Sequence, residues 1–165
     1  MLVCCSSGPR IRAGRTTPLI APLSEHRCPM DIERFKQQHV QILQIIHRMR
    51  QLAAAGVAEN ASGLAHEIRL MKSKVALHLS IENDILYPRL EKQADAQVAR
   101  LAREYQEEMK TLASGFGHFV ERWGAESAVE GDPEGFRRDC NTVLKALHRR
   151  IQRENTEFYP QVEAL

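Results

Sequence analysis

A histidine and a glutamate four residues apart, His78 and Glu82, occupy consecutive positions of a stripe that is otherwise apolar. Leu64, Ile68, Met71 and Val75 precede them and Ile85 comes after. At that spacing both side chains leave the same face of a helix. A carboxylate on a core-facing stripe is costly unless a cation or hydrogen-bond donors meet it there. An imidazole and a carboxylate aimed at one point can share a divalent ion, and that donor mixture suits iron, zinc or manganese better than calcium or magnesium.

The segment recurs. Glu82-Asn83-x-x-x-Tyr87-Pro88 is repeated as Glu154-Asn155-x-x-x-Tyr159-Pro160, 72 positions later. Where the first copy has His78, the second has Arg150. One more histidine, His39, interrupts a stripe made of Ile32, Phe35, Ile42, Ile46, Met49 and Ala53.

The elements that must position these residues are helices. Ala, Leu, Glu, Gln and Arg dominate after residue 30, and aromatics are only 5% of the chain, a helix-favouring composition. Asp31 as N-cap and Gly56 as terminator bound a first helix. A second runs from about Asn60 to at least Tyr87, where Pro88 is expected to kink or end it. A third opens at Asp95 and ends near Trp123-Gly124, with the stripe Val98, Leu101, Tyr105, Met109, Leu112, Phe116, Phe119, Trp123. A polar loop containing Gly131 is expected next. Asp132-Pro133 then opens a fourth helix, whose stripe is Phe136, Cys140, Val143, Leu147, Arg150, Glu154.

Alternating spacings of three and four mark the seam of a helix in a bundle. Four such helices with short connections are expected to pack as an all-α, up-down-up-down bundle. In that arrangement His39, His78, Glu82, Arg150 and Glu154 all meet at one end of the core.

Residues 1–29, rich in Pro, Ser, Arg and Thr, read as a disordered N-terminal extension, with Met30 a plausible natural start and residues 30–165 forming the domain. The extension holds four Arg and one Glu, so the rest of the chain, with 19 basic and 20 acidic groups, is close to neutral. Neutrality offers no electrostatic reason to expect nucleic acid or a membrane surface as partner. No apolar run is long enough to span a bilayer. Cys4, Cys5, Cys28 and Cys140 do not form a disulfide framework, so a reducing cytoplasm is the expected location. No nucleotide loop, nucleophile triad or zinc-type Cys pair is present.

The bundle with its His-x-x-x-Glu motif resembles the hemerythrin-like, or HHE cation-binding, family over residues 31–162. His39 matches that family's helix-1 histidine. His78-Leu79-Ser80-Ile81-Glu82, with the adjoining Leu86-Tyr87-Pro88, matches its second motif, and Glu154 with Tyr159-Pro160 matches its final acid. The resemblance implies a di-iron centre with two bridging carboxylates, used for binding or sensing oxygen or nitric oxide, or for iron-centre repair. Two positions depart from the pattern. Aligning Phe35-x-x-x-His39-x-x-Ile42 with Tyr105-x-x-x-Met109-x-x-Leu112 puts Met109 where a third histidine is implied, and Arg150 stands where a fourth is implied. His39, His78, Glu82 and Glu154 survive, a half-site sufficient for one metal ion, iron by resemblance.

Arg150 admits two readings. Its charge can stand in for a second iron, or it can bridge Glu82 and Glu154 and leave no need for metal. Tyr105 is either core packing or a donor to a seam carboxylate. Met109 is core, or a soft thioether ligand. His148 is a weaker ligand candidate, about 200° around the helix from Arg150. His47, His66 and His118 fall off the seams. Three functions are compatible with these residues. The first is a non-enzymatic module holding one metal, with a small diatomic ligand, for sensing or storage. The second is a metal-free structural or regulatory bundle acting through an unknown protein partner. The third is a metal-dependent oxidase or repair enzyme.

Overall fold

Asp31 opens the first helix through its side chain, which accepts from the Arg34 backbone N–H at 3.2 Å. The computed structural model describes residues 31–93 and 95–165. The readings made on residues 1–29 and on Cys4, Cys5 and Cys28 lie outside them. All regular structure among the described residues is helical. In chain order it comprises α1 (Ile32–Ala54), α2 (Ala61–Ile81), α3 (Tyr87–Gln93), α4 (Ala96–Trp123), α5 (Glu126–Gly131), α6 (Pro133–Arg153) and α7 (Tyr159–Glu163). Two wide π-helical turns, Glu82–Leu86 and Glu154–Phe158, join α2 to α3 and α6 to α7.

The terminators act where the sequence places them. Gly56 closes α1 with a φ of 122°, a left-handed conformation that side-chain-bearing residues rarely adopt. The Asp95 carboxylate accepts from the N–H groups of Gln97 and Val98, and that of Asp132 from Gly135, capping α4 and α6. The segment expected to be a polar loop instead holds α5, because Val129 is fully buried against the core and pulls its neighbours into a turn.

Pro88 does not end the second helix, which continues to Gln93. In an α-helix its ring would strike the carbonyl four residues back. The π turn just before it widens the backbone there, and Tyr87 N–H bonds the Glu82 carbonyl five residues away. The repeat handles Pro160 identically, with Tyr159 N–H on the Glu154 carbonyl. Each wide turn carries an extra residue and rotates the next helical segment by about 100°. Ile85, expected on the seam, is therefore 56% exposed, and Leu86 is buried in its place.

Arg137 on α6 donates to the Ala53 carbonyl at the end of α1, and Lys36 at the start of α1 pairs with Glu163 on α7. The two lines of helix therefore run in opposite directions. Among the described residues the core has two apolar clusters. One holds Ile42, Met71, Val75, Phe116, Trp123, Phe136, Leu147 and Ile151 among others. The other holds Phe35, Leu86, Tyr87, Val98, Tyr105, Phe158 and Tyr159. Between them, along each long helix, lies a layer with the buried polar residues His39, His78, Glu82, Arg150 and Glu154.

Candidate metal centre

Three donors converge in that layer. His39 Nε2 lies 3.1 Å from His78 Nε2 and 3.1 Å from Glu154 Oε2. His39, His78 and Glu154 form the group among the described residues that could hold a metal ion, and all three are buried. They come from α1, α2 and the π turn after α6.

The rings are held from behind. His39 Nδ1 is 2.8 Å from Asn155 Oδ1, and His78 Nδ1 is 3.0 Å from Gln38 Oε1. An amide oxygen accepts, so each Nδ1 carries a proton and each Nε2 faces the centre, where it can offer a lone pair to an ion. Phe35 meets the His78 ring edge-on at 6.1 Å, and Tyr159 stacks on His39 at 5.4 Å. One proton on His39 Nε2 satisfies one of the facing acceptors at a time; a divalent cation satisfies all three. Donors about 2.1 Å from an ion and at right angles stand about 3.0 Å apart, close to the separations found. The residues present thus fit a transition-metal ion.

Glu82 sits at the edge of this group, with Oε2 3.6 Å from His78 Nε2. Its oxygens accept from two tyrosine hydroxyls, Tyr159 at 3.0 Å and Tyr87 at 3.3 Å. Complete burial, with the Glu154 charge nearby, raises the Glu82 carboxyl well above the usual carboxylate range. Tyr87 and Tyr159, the tyrosines of the repeated segment, are buried donors to this carboxylate.

Arg150, 6% exposed, places Nε 2.5 Å from Glu154 Oε1. It does not reach Glu82 directly, contrary to the bridging expectation. Its NH2 donates to the Tyr87 hydroxyl at 3.0 Å, and that hydroxyl donates to Glu82. Its NH1 turns outward to Glu108 at 3.3 Å. Burial alone pushes the Glu154 carboxyl up, but the His39 hydrogen bond and the Arg150 charge bring it below its ordinary value. Ionised Glu154 therefore stabilises the fold above about pH 4.5, and that contribution disappears as pH falls.

The remaining candidates separate clearly. The Tyr105 hydroxyl donates to Glu157 and to the Arg153 carbonyl, not to a core carboxylate. Its ring face carries the Arg150 guanidinium, 4.4 Å from the centroid, and stacks on Phe158. Met109 is buried at the level of the polar layer, between Tyr105 and Phe116 on α4. His148 is half-buried and outside the convergent group, its helix face turning it away. Arg153 is half-buried and pairs with Glu108 and Glu157. His47, His66 and His118 are exposed.

Gln38, Asn155 and Glu108 escaped sequence reasoning. The signal for Asn155 was in the repeat, which keeps Glu-Asn at both copies; Gln38 and Glu108 are polar residues beside seam positions and carried none.

The amides and the buried imidazole can each be tested. Asn155→Ala and Gln38→Ala should each weaken metal affinity about 10–100-fold, read by competition with a chromophoric chelator; unchanged affinity would show that packing alone aims the rings. His78, lowered by burial and by His39 from 6.5 to about 4, stays neutral in the metal-free fold. The unfolded chain takes up its proton first, so stability is full above about pH 6.5 and falls as pH drops toward 4. At about 1.4 kcal/mol per pH unit, the loss is roughly 3 kcal/mol. Urea unfolding of metal-free protein across that range should show it, and His78→Gln should flatten that slope.

The model of the family described as hemerythrin HHE cation binding domain matches residues 30–162. No curated protein and no solved structure matches the chain. The match spans both copies of the Glu-Asn-x-x-x-Tyr-Pro segment and every residue of the buried His/His/Glu group. The chain belongs to the hemerythrin HHE cation-binding family.

Proposed function

We propose that the chain is a non-enzymatic module holding one transition-metal ion, iron by its family membership, in the core of an up-down-up-down four-helix bundle. Its role on this reading is sensing of oxygen, nitric oxide or redox state, or iron storage. The observation that carries the reading is the convergence of His39 Nε2, His78 Nε2 and Glu154 Oε2, with both imidazole protons held outward by amide oxygens. Glu82 stands next to them as the fourth ligand, released from its tyrosine donors when the ion binds. Two imidazoles and two carboxylates favour iron, zinc or manganese, and redox exchange at the ion makes a diatomic ligand the natural partner.

The test is metal content. Protein expressed with ample iron and purified without a histidine tag should carry about one ion per chain, and addition of oxygen or nitric oxide to the reduced form should change its absorption. One observation favours the metal-free bundle as a second reading: no buried side-chain polar atom among the described residues lacks a hydrogen-bond partner. No metal under any loading would establish that reading and sink the first.

A further inference from the structure

The two halves of the centre are built on one internal repeat. Helix α1 repeats in α4 at an offset of 70, and α2 with its π turn repeats in α6 with its own at 72. Four pairs of positions therefore correspond: Gln38 with Glu108, His39 with Met109, His78 with Arg150, and Glu82 with Glu154.

The contacts repeat along with the positions. Gln38 holds His78 from behind at 3.0 Å, and its counterpart Glu108 holds Arg150 at 3.3 Å. Asn155 holds His39, whereas its counterpart Asn83 would face Met109, which has no proton to give; Asn83 is exposed. One half has thus exchanged a neutral imidazole with a neutral amide behind it for a guanidinium with a carboxylate behind it. The added charges cancel. Two donors that could ligate have become one fixed cation and one thioether. The cation lies on Glu154 Oε1, while Glu154 Oε2 faces His39.

We propose that Arg150 is the permanent cation of the second half of the centre. Its guanidinium occupies the charge position a second ion would take, Glu108 balances it, and Glu154 is shared between the guanidinium and the single metal. This rests on the single-metal reading above. Arg150 is a positioning residue here: it fixes Glu154 and bars a second ion, without touching the bound one.

The reversal is a matched set, Met109→His with Arg150→His and Glu108→Gln. Titrated anaerobically with Co(II), followed by absorption and elemental analysis, the unaltered chain should bind one ion and the triple variant two. One ion in both would overturn the proposal and leave the single-metal reading standing. Two ions in the unaltered chain would also overturn it, since Arg150 would then bar nothing. None in the unaltered chain would overturn the single-metal reading itself. If the triple variant loses its helical circular dichroism, Met109→His alone decides: with Arg150 in place it should still bind one ion, and two would overturn the proposal.

Discussion

His78→Ala should take the iron-loaded chain from about one metal ion to none. His78 supplies one of the three converging donors, its Nε2 3.1 Å from that of His39. It also anchors the layer through Gln38. Losing an outer partner costs about 10–100-fold in affinity, and losing a ligand costs more, enough to empty the site at working concentrations. His148→Ala is the matched control. His148 is half-buried and outside the convergent group, so this variant should keep its ion. Elemental analysis of both proteins gives the answer. Full metal in His78→Ala, or loss in His148→Ala, would mean that the site lies elsewhere.

Glu154→Ala should be the most destabilising single change to the metal-free protein, about 3–5 kcal/mol. It strands the Arg150 guanidinium, 6% exposed, with Glu108 at 3.3 Å as its one remaining carboxylate partner among the described residues. The alanine also leaves a void against His39. Replacing both partners, Arg150→Met with Glu154→Leu, should recover most of the loss, because an apolar pair does not have to be desolvated as ions. Urea unfolding at neutral pH of the two variants and the parent separates these outcomes. A single-variant loss under about 1 kcal/mol would show that the ion pair contributes no more than a surface one. Below about pH 4.5 the penalty should shrink, since the unfolded chain takes up the Glu154 proton first and the advantage of a charge stabilised by His39 and Arg150 is progressively lost.

The two experiments report on different properties of one carboxylate. Oε2 faces His39 and the proposed metal position, while Oε1 faces Arg150. Metal content reads the first contact and stability of the metal-free chain reads the second, so a variant can fail one test and pass the other.

Much of this was legible in residue types and spacing alone. Asp31, Asp95 and Asp132 cap helices, because a carboxylate before a helical run has free N–H groups to accept from. Gly56 ends one for want of a Cβ. Periods of three and four put His39, His78, Glu82, Arg150 and Glu154 in the core, and helix length put them at one level. The repeated Glu-Asn-x-x-x-Tyr-Pro announced that two segments do related work. The tertiary structure alone decided the rest. A seam pattern assumes a constant turn, and the two π turns break that assumption, which is why Leu86 and not Ile85 is buried. Which acid Arg150 meets, which amides hold the histidines, and which hydroxyls meet Glu82 depend on rotamers and on partners as far apart as His39 and Asn155. Periodicity names the face a residue lies on; only packing sets the angle at which it arrives, and metal binding is a matter of angle and distance.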